Sequence, residues 1–171
     1  MDVTVRNMDI KDIGIVKRWL TNKDNHIWLD SSFHREHMDD KELAIMLLKK
    51  ENKMYMFEVE GKVVGIVGLN RIDMVNRCGI FWIISGNKAY AGYGLGVKVI
   101  KIVLGICFNE LGLHSVYSWA VDTNKGGRAR ILEKVGFRLI GRQRECHFMD
   151  NVYRDRLWYD IIKEDFFAVQ P

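Results

Sequence analysis

Glycines at 92, 94 and 96 lie in the run Ser85-Gly86-Asn87-Lys88-Ala89-Tyr90-Ala91-Gly92-Tyr93-Gly94-Leu95-Gly96, between an apolar strand pattern at 80–84 and a long apolar helix pattern at 97–111. Residues without a Cβ let the backbone take positive φ and approach a ligand closely. Where such a turn opens a helix, the first N–H groups have no intrahelical acceptor. The macrodipole adds about half a positive charge there, so a phosphate is stabilised without any lysine. The same spacing also suits a plain strand-to-helix connection, because Gly-x-Gly alone is a weak signal. A dinucleotide fingerprint would need Gly-x-Gly-x-x-Gly, and an ATP loop Gly-Lys-Ser/Thr; neither is present.

A second group of chemistry-bearing residues falls in 22–37, where His26, Trp28, Phe33, His34 and His37 sit among polar residues without a clean period. Rings in such a connection either plug the core or face a ligand. The first alternative makes Trp28 and Phe33 core residues; the second makes the segment the wall of an acceptor pocket.

Several elements must position these residues. Alternation around Val3 and Val5 predicts a first strand, and Asp9 with Asp12 predicts the cap of a helix with Ile13, Val16 and Leu20 inside. A second helix is expected from Asp39-Asp40, with Leu43, Met46 and Leu47 on one face. Two strands then flank Glu60-Gly61 as a tight hairpin, and a third covers 77–84. After the glycine run, the helix at 97–111 is apolar on most faces and is expected to be buried. A strand at 113–122, a helix at 124–135 and a hairpin around Asp150-Asn151 complete the chain. The last residues are expected to trail.

With 171 residues, 48% hydrophobic and 28% charged, the chain suits one domain with a sizeable core: 1–165, followed by a tail at 166–171. A net charge of +4 suits an acidic small ligand and falls short of a nucleic-acid-binding stripe. Cys78, Cys107 and Cys146 lie in apolar patterns at odd count, which predicts reduced thiols, and no metal-ligand spacing appears. The N-terminus carries no signal pattern, and the longest apolar stretch is too short for a bilayer. A soluble cytoplasmic protein is expected, with neither a membrane nor a nucleic acid as partner, and present as monomer or homodimer.

The run Ala91-Gly92-Tyr93-Gly94-Leu95-Gly96 resembles the pyrophosphate loop of the GNAT superfamily of N-acetyltransferases, whose pattern is Arg/Gln-x-x-Gly-x-Gly/Ala at the start of the central helix. Ala91 departs from it, removing one side chain near the phosphates while leaving the backbone cradle. A second block, Arg130-Ile131-Leu132-Glu133-Lys134-Val135-Gly136-Phe137, is similar to that family's Glu-Lys-x-Gly-Phe close. The ending and His114 look most like the branch acting on ribosomal-protein N-termini, amino sugars and antibiotics.

This resemblance implies an α/β (α+β) fold, with a mixed, mostly antiparallel seven-stranded sheet, a splayed parallel strand pair and helices on both faces. It implies acetyl-CoA as cofactor, with Ala91 to Gly96 at its diphosphate and Trp82, Ile83 and Ile84 along its pantetheine. Asn124, Arg128 and Arg130 are the further cofactor candidates. The implied reaction is direct attack of a primary amine on the thioester, with backbone donors on the open strand stabilising the oxyanion. An amine of pKa about 10.4 is mostly protonated at pH 7, so a base must take its proton. The usual strand Glu is missing from Cys78-Gly79-Ile80-Phe81-Trp82, and Leu132 stands where relatives carry a Tyr. Asp122 is the nearest acidic candidate, with Asn124 beside it, although Asp122 equally suits a loop cap. His26, Trp28, Phe33, Trp119 and Tyr153 are the expected acceptor contacts. Their aromatic content favours a flat or sugar-like acceptor, as a small molecule or a peptide amine, over a bare polyamine. The missing Glu and Tyr leave a second reading open, a non-catalytic acyl-CoA-binding or sensing domain.

Overall fold

The computed structural model describes residues 2–33, 39–47, 49–90, 92, 94–123 and 127–168. Seven strands form one sheet: β1 (Val3–Asn7), β2 (Lys53–Val59), β3 (Lys62–Asp73), β4 (Cys78–Ser85), β5 (Ser115–Val121), β6 (Arg138–Met149) and β7 (Val152–Ile162). Their order is β1-β2-β3-β4-β5-β7-β6. Six helices occur among the described residues: α1 (Ile13–Leu20), α2 (Lys23–His26), α3 (Asp40–Leu47), α4 (Leu95–Gly105), α5 (Gly127–Val135) and α6 (Lys163–Ala168). The seven-stranded mixed α/β architecture is the one expected. Two compact units divide the chain, Met1–Ile72 with Phe81–Leu95, and Asp73–Ile80 with Gly96–Pro171.

In the first unit, β1 and β2 pair antiparallel from Val3↔Val59 to Asn7↔Tyr55, and β2 pairs with β3 from Lys53↔Leu69 to Val59↔Lys62. The hairpin turn is the anticipated Glu60-Gly61, with φ of 51° and 75°, the primed geometry that matches strand twist. Asp9 and Asp12 form a reciprocal capping box on the 3-10 turn Ile10–Asp12 that leads into α1. Asp12 also receives two bonds from Arg6, at 2.7 and 2.9 Å. Val16, Leu20, Phe33, Leu43, Met56, Ile66 and Trp82 form the core of this unit. Residues 22–33, expected to be irregular, carry two short helical elements: the Asn22 side chain accepts from the Asp24 amide at 2.9 Å to cap α2, and Ser31–Phe33 forms a 3-10 turn.

In the second unit, β5 pairs antiparallel with β7 from Ser115↔Ile162 to Val121↔Arg156, and β7 pairs with β6 around a turn at Asp150 (φ 50°) and Asn151 (φ 60°). Helix α4 ends in a π-turn, Ile106–Glu110, before Gly112 at φ 67° reverses the chain. The end of the chain departs from expectation. Residues 166–168 of the expected tail belong to α6, because Phe166 is buried and packs on Phe108 with ring centroids 5.3 Å apart. No described helix is long and apolar enough to cross a membrane.

Candidate functional site

The glycine turn begins where β4 ends. The Gly86 and Asn87 amides both donate to the Val64 carbonyl, at 2.9 and 3.0 Å, which anchors the start of the turn to β3. Asn87 Oδ1 accepts from the Ala89 amide at 3.0 Å and starts the 3-10 turn Lys88–Tyr90. Gly92 (φ 100°) and Gly94 (φ 69°) then turn the chain into α4, and the Leu95 amide donates to the Gly92 carbonyl at 3.1 Å. A Cβ built on either glycine would meet nothing within 4 Å. Their backbone conformation, not crowding by the protein, therefore requires glycine, and the space beside them is open. Ala91 and Tyr93 lie outside the described residues. Lys88 pairs with Asp24 at 2.7 Å, so this turn carries no free lysine.

At the start of α4, the first N–H groups lack intrahelical acceptors by construction. Within the second unit, a Cβ on Gly96 would stand 3.6 Å from Ile131 of α5. Arg128 lies three residues earlier on the same face of α5, about one helical turn from that contact. Its side chain is partly exposed but its Nε is sealed from solvent and has no hydrogen-bond partner among the described residues. Burial pulls its guanidinium down to about 10, which still leaves it charged at neutral pH. A cationic side chain with a sealed, unpartnered donor favours an anion. Arg130, by contrast, is exposed.

Strand β4 carries the residues expected along the pantetheine. Its parallel pairing with β5 comprises three registered pairs, Cys78↔Ser115, Gly79↔Val116 and Ile80↔Tyr117, while β4 itself continues to Ser85. In the first unit, the Trp82 indole is a core residue: its Nε1 donates to Asn70 Oδ1 at 2.6 Å and its ring lies 5.1 Å from Phe33. Ile84 is buried in the same cluster, and Ile83 is half-buried. Trp82 and Ile84 thus have their backbone, and not their side chains, to offer a ligand.

The candidate base is already engaged. Asp122 binds Arg142 Nη1 at 2.7 Å, and the same nitrogen binds Asp155 at 2.7 Å. Asp155 is held below the usual carboxylate range, first by the Glu145 amide and then by Arg142. Asn124 lies outside the described residues. Leu132 is buried, and the nearby Tyr159 donates its hydroxyl to Glu133 Oε1 at 3.1 Å. Burial, reinforced by Glu133, pushes Tyr159 up to about 12.

The expected acceptor contacts divide between the two units, and each is described within its own unit. In the first unit His26 is buried with Nδ1 3.0 Å from the Leu20 carbonyl, an arrangement in which that nitrogen carries the proton. Phe33 is core, whereas Trp28 is exposed. In the second unit Trp119 is buried under the Arg156 guanidinium, 4.1 Å from its ring centroid, and Tyr153 lies exposed against Phe148. His34 and His37 fall outside the described residues. Asn70, Arg142 and the Tyr159–Glu133 pair were missed by sequence reasoning, since each acts on a partner 12 to 26 positions away. Among the described residues no three His, Cys, Asp or Glu side chains gather as metal ligands.

The Acetyltransferase (GNAT) domain family model matches residues 2–138, most of the chain and all of the glycine turn. The chain belongs to the GNAT acetyltransferase family. Among GNAT relatives, spermidine N(1)-acetyltransferase of Escherichia coli is 27% identical over 119 residues, covering 70% of this chain and 63% of that protein. The chain thus spans less than two thirds of that relative's length. A prophage-derived N-acetyltransferase of Bacillus subtilis is 25% identical, with 96% of this chain and 92% of that protein covered. Spermidine N-acetyltransferase of Vibrio cholerae, solved in complex with CoA and spermine, shares the fold with a TM-score of 0.86 at 21% identity, covering 96% and 98% of the two chains. A dodecameric structure of the Vibrio cholerae enzyme superposes with a TM-score of 0.83 at 21% identity over 99% and 98%.

Proposed function

We propose that this chain is an acetyl-CoA-dependent N-acetyltransferase whose acceptor is a primary amine of the polyamine class. One observation carries the cofactor assignment: two positive-φ glycines with open space beside them lead directly into a helix N-terminus. That cradle fits a diphosphate. In this reading the turn from Ala91 to Gly96 holds the diphosphate, Arg128 supplies the cation that Ala91 does not, and the backbone of Trp82 to Ile84 pairs with the pantetheine amides. Arg130 and Asn124 are secondary contacts. When bound, acetyl-CoA supplies the activated acetyl group.

The acceptor class rests on the relatives, which are named for spermidine. Phe33 packed in the core removes one of the five contacts that favoured a sugar-like acceptor. Asp122 shares Arg142 with Asp155 and so acts as a structural carboxylate, and removal of the amine's proton then falls to solvent. We assign residues 1–168, the expected 1–165 extended to the end of α6, to one acetyltransferase domain. Because the Vibrio cholerae relative is dodecameric, an assembly larger than a dimer replaces monomer or homodimer as the proposed state. Light scattering at micromolar concentration checks it, and a monomer mass refutes it.

The test of activity is CoA release with spermidine, glucosamine and an N-terminal peptide as acceptors. Spermidine is expected to give the highest kcat/KM. Equal rates for all three would remove the polyamine assignment. Tight CoA binding without release on any amine would favour the sensing-domain reading, which the empty Glu and Tyr positions and the engaged Asp122 support.

A further inference from the structure

A cavity of about 390 Å³ opens in the first unit where β1 runs into α1 and where α3 runs into β2. Its lining comes from 7–13 and 44–54, with no residue from the glycine turn or from β4. The floor is apolar, with Ile13, Leu47 and Met54, while Lys49, Lys50 and Lys53 stand at the rim. All three lysines are exposed, and no ion pair among the described residues engages them. The lining carboxylate, Asp9, is turned to its own helix start, where it accepts from the Lys11 amide at 3.1 Å. It leaves the rim positive.

The rim is also held in place. The Asn52 amide donates to the Lys49 carbonyl at 2.9 Å and its side chain donates to the Met46 carbonyl at 2.7 Å, while the Glu51 carbonyl accepts from the Ile72 amide at 2.9 Å. These bonds fix the backbone that carries the lysines and leave their ammonium groups free to meet a ligand. An apolar floor under a fixed cationic rim has the character of a small-molecule site, and its size lies toward the small end for such sites. We propose that this cavity binds a small amphiphilic anion, a carboxylate or phosphate ester on a short apolar body. The charge is the opposite of the polyamine proposed as acceptor, so the two ligands would not compete for this cavity.

Calorimetric titration of the full chain with octanoate, octyl phosphate, octylamine and octanol tests the proposal. Octanoate binding alone assigns a carboxylate, octyl phosphate alone a phosphate ester, and both a site that selects charge only. Octylamine and octanol are expected to bind at least tenfold more weakly. Combined Lys49→Glu, Lys50→Glu and Lys53→Glu substitutions should weaken the anion about tenfold, and Ala44→Trp should abolish its binding by filling the lined space. Both variants should keep the CoA affinity of the parent, which also reports that they fold. The proposal is overturned if neither anion binds, if octylamine binds as tightly, if both variants leave affinity unchanged, or if CoA displaces the anion.

Discussion

Gly68 on β3 and the pair Gly92 and Gly94 use the same residue for opposite reasons. At Gly68 an added Cβ would stand inside the Trp82 indole, whose position is fixed by Asn70 and Phe33. At Gly92 and Gly94 an added Cβ meets nothing, yet φ is positive at both. The first glycine is needed for packing, and the others for a backbone conformation beside open space, where the diphosphate is proposed to bind. Glycine in a sealed site therefore reports on stability, and glycine in an open one on binding.

Gly68→Ala gives the largest effect that can break this contrast, a loss of about 3 kcal/mol in urea unfolding from overpacking against the indole, with the folded fraction still binding CoA normally. Gly92→Val and Gly94→Val should cost less stability, about 1 to 2 kcal/mol. They should raise the Kd for CoA roughly 10- to 100-fold, as expected when one or two amide contacts to a charged group are lost. If either lowers stability as much as Gly68→Ala while sparing CoA affinity, the distinction fails. Arg128→Met should raise the CoA Kd about tenfold, yet stabilise the free chain by about 1 kcal/mol, because a sealed donor without a partner is removed; thermal shifts with and without CoA read both effects.

A sealed group in the second unit supplies a pH test. Tyr159 titrates near 12 in the fold and about 10 when unfolded. The stability it contributes is fully present below about pH 10 and is lost as pH rises toward 12. Urea midpoints between pH 9 and 12 should fall less steeply for Tyr159→Phe than for the parent. The smallest expected change is from Ala91→Arg, which supplies the cation of the family's pattern and should tighten CoA by a few-fold, about 0.5 to 1 kcal/mol.

Elements whose signals are local were readable in advance. Asp9 and Asp12 announce the capping box, Glu60-Gly61 and Asp150-Asn151 announce their hairpins, and the spaced glycines announce the turn before α4. Aromatic residues were less informative, because a tryptophan in an apolar strand has the same local pattern whether it fills the core or lines a pocket. Asn70 beneath Trp82 decides that question, twelve residues away. The partners of Asp122 were hidden for the same reason: Arg142 and Asp155 come to it through the pairing of β5, β7 and β6, which no short window of sequence displays. Phe166 converts an apparent tail into α6 by contact with Phe108, 58 positions earlier.

The sealed Nε of Arg128 has a consequence for how long a molecule of this protein survives. A chain whose guanidinium is answered by phosphate gains stability in proportion to the logarithm of ligand concentration over Kd, while its empty counterpart opens more often and is the better protease substrate. Under the proposed coenzyme A binding, abundance of the protein would follow the coenzyme A supply.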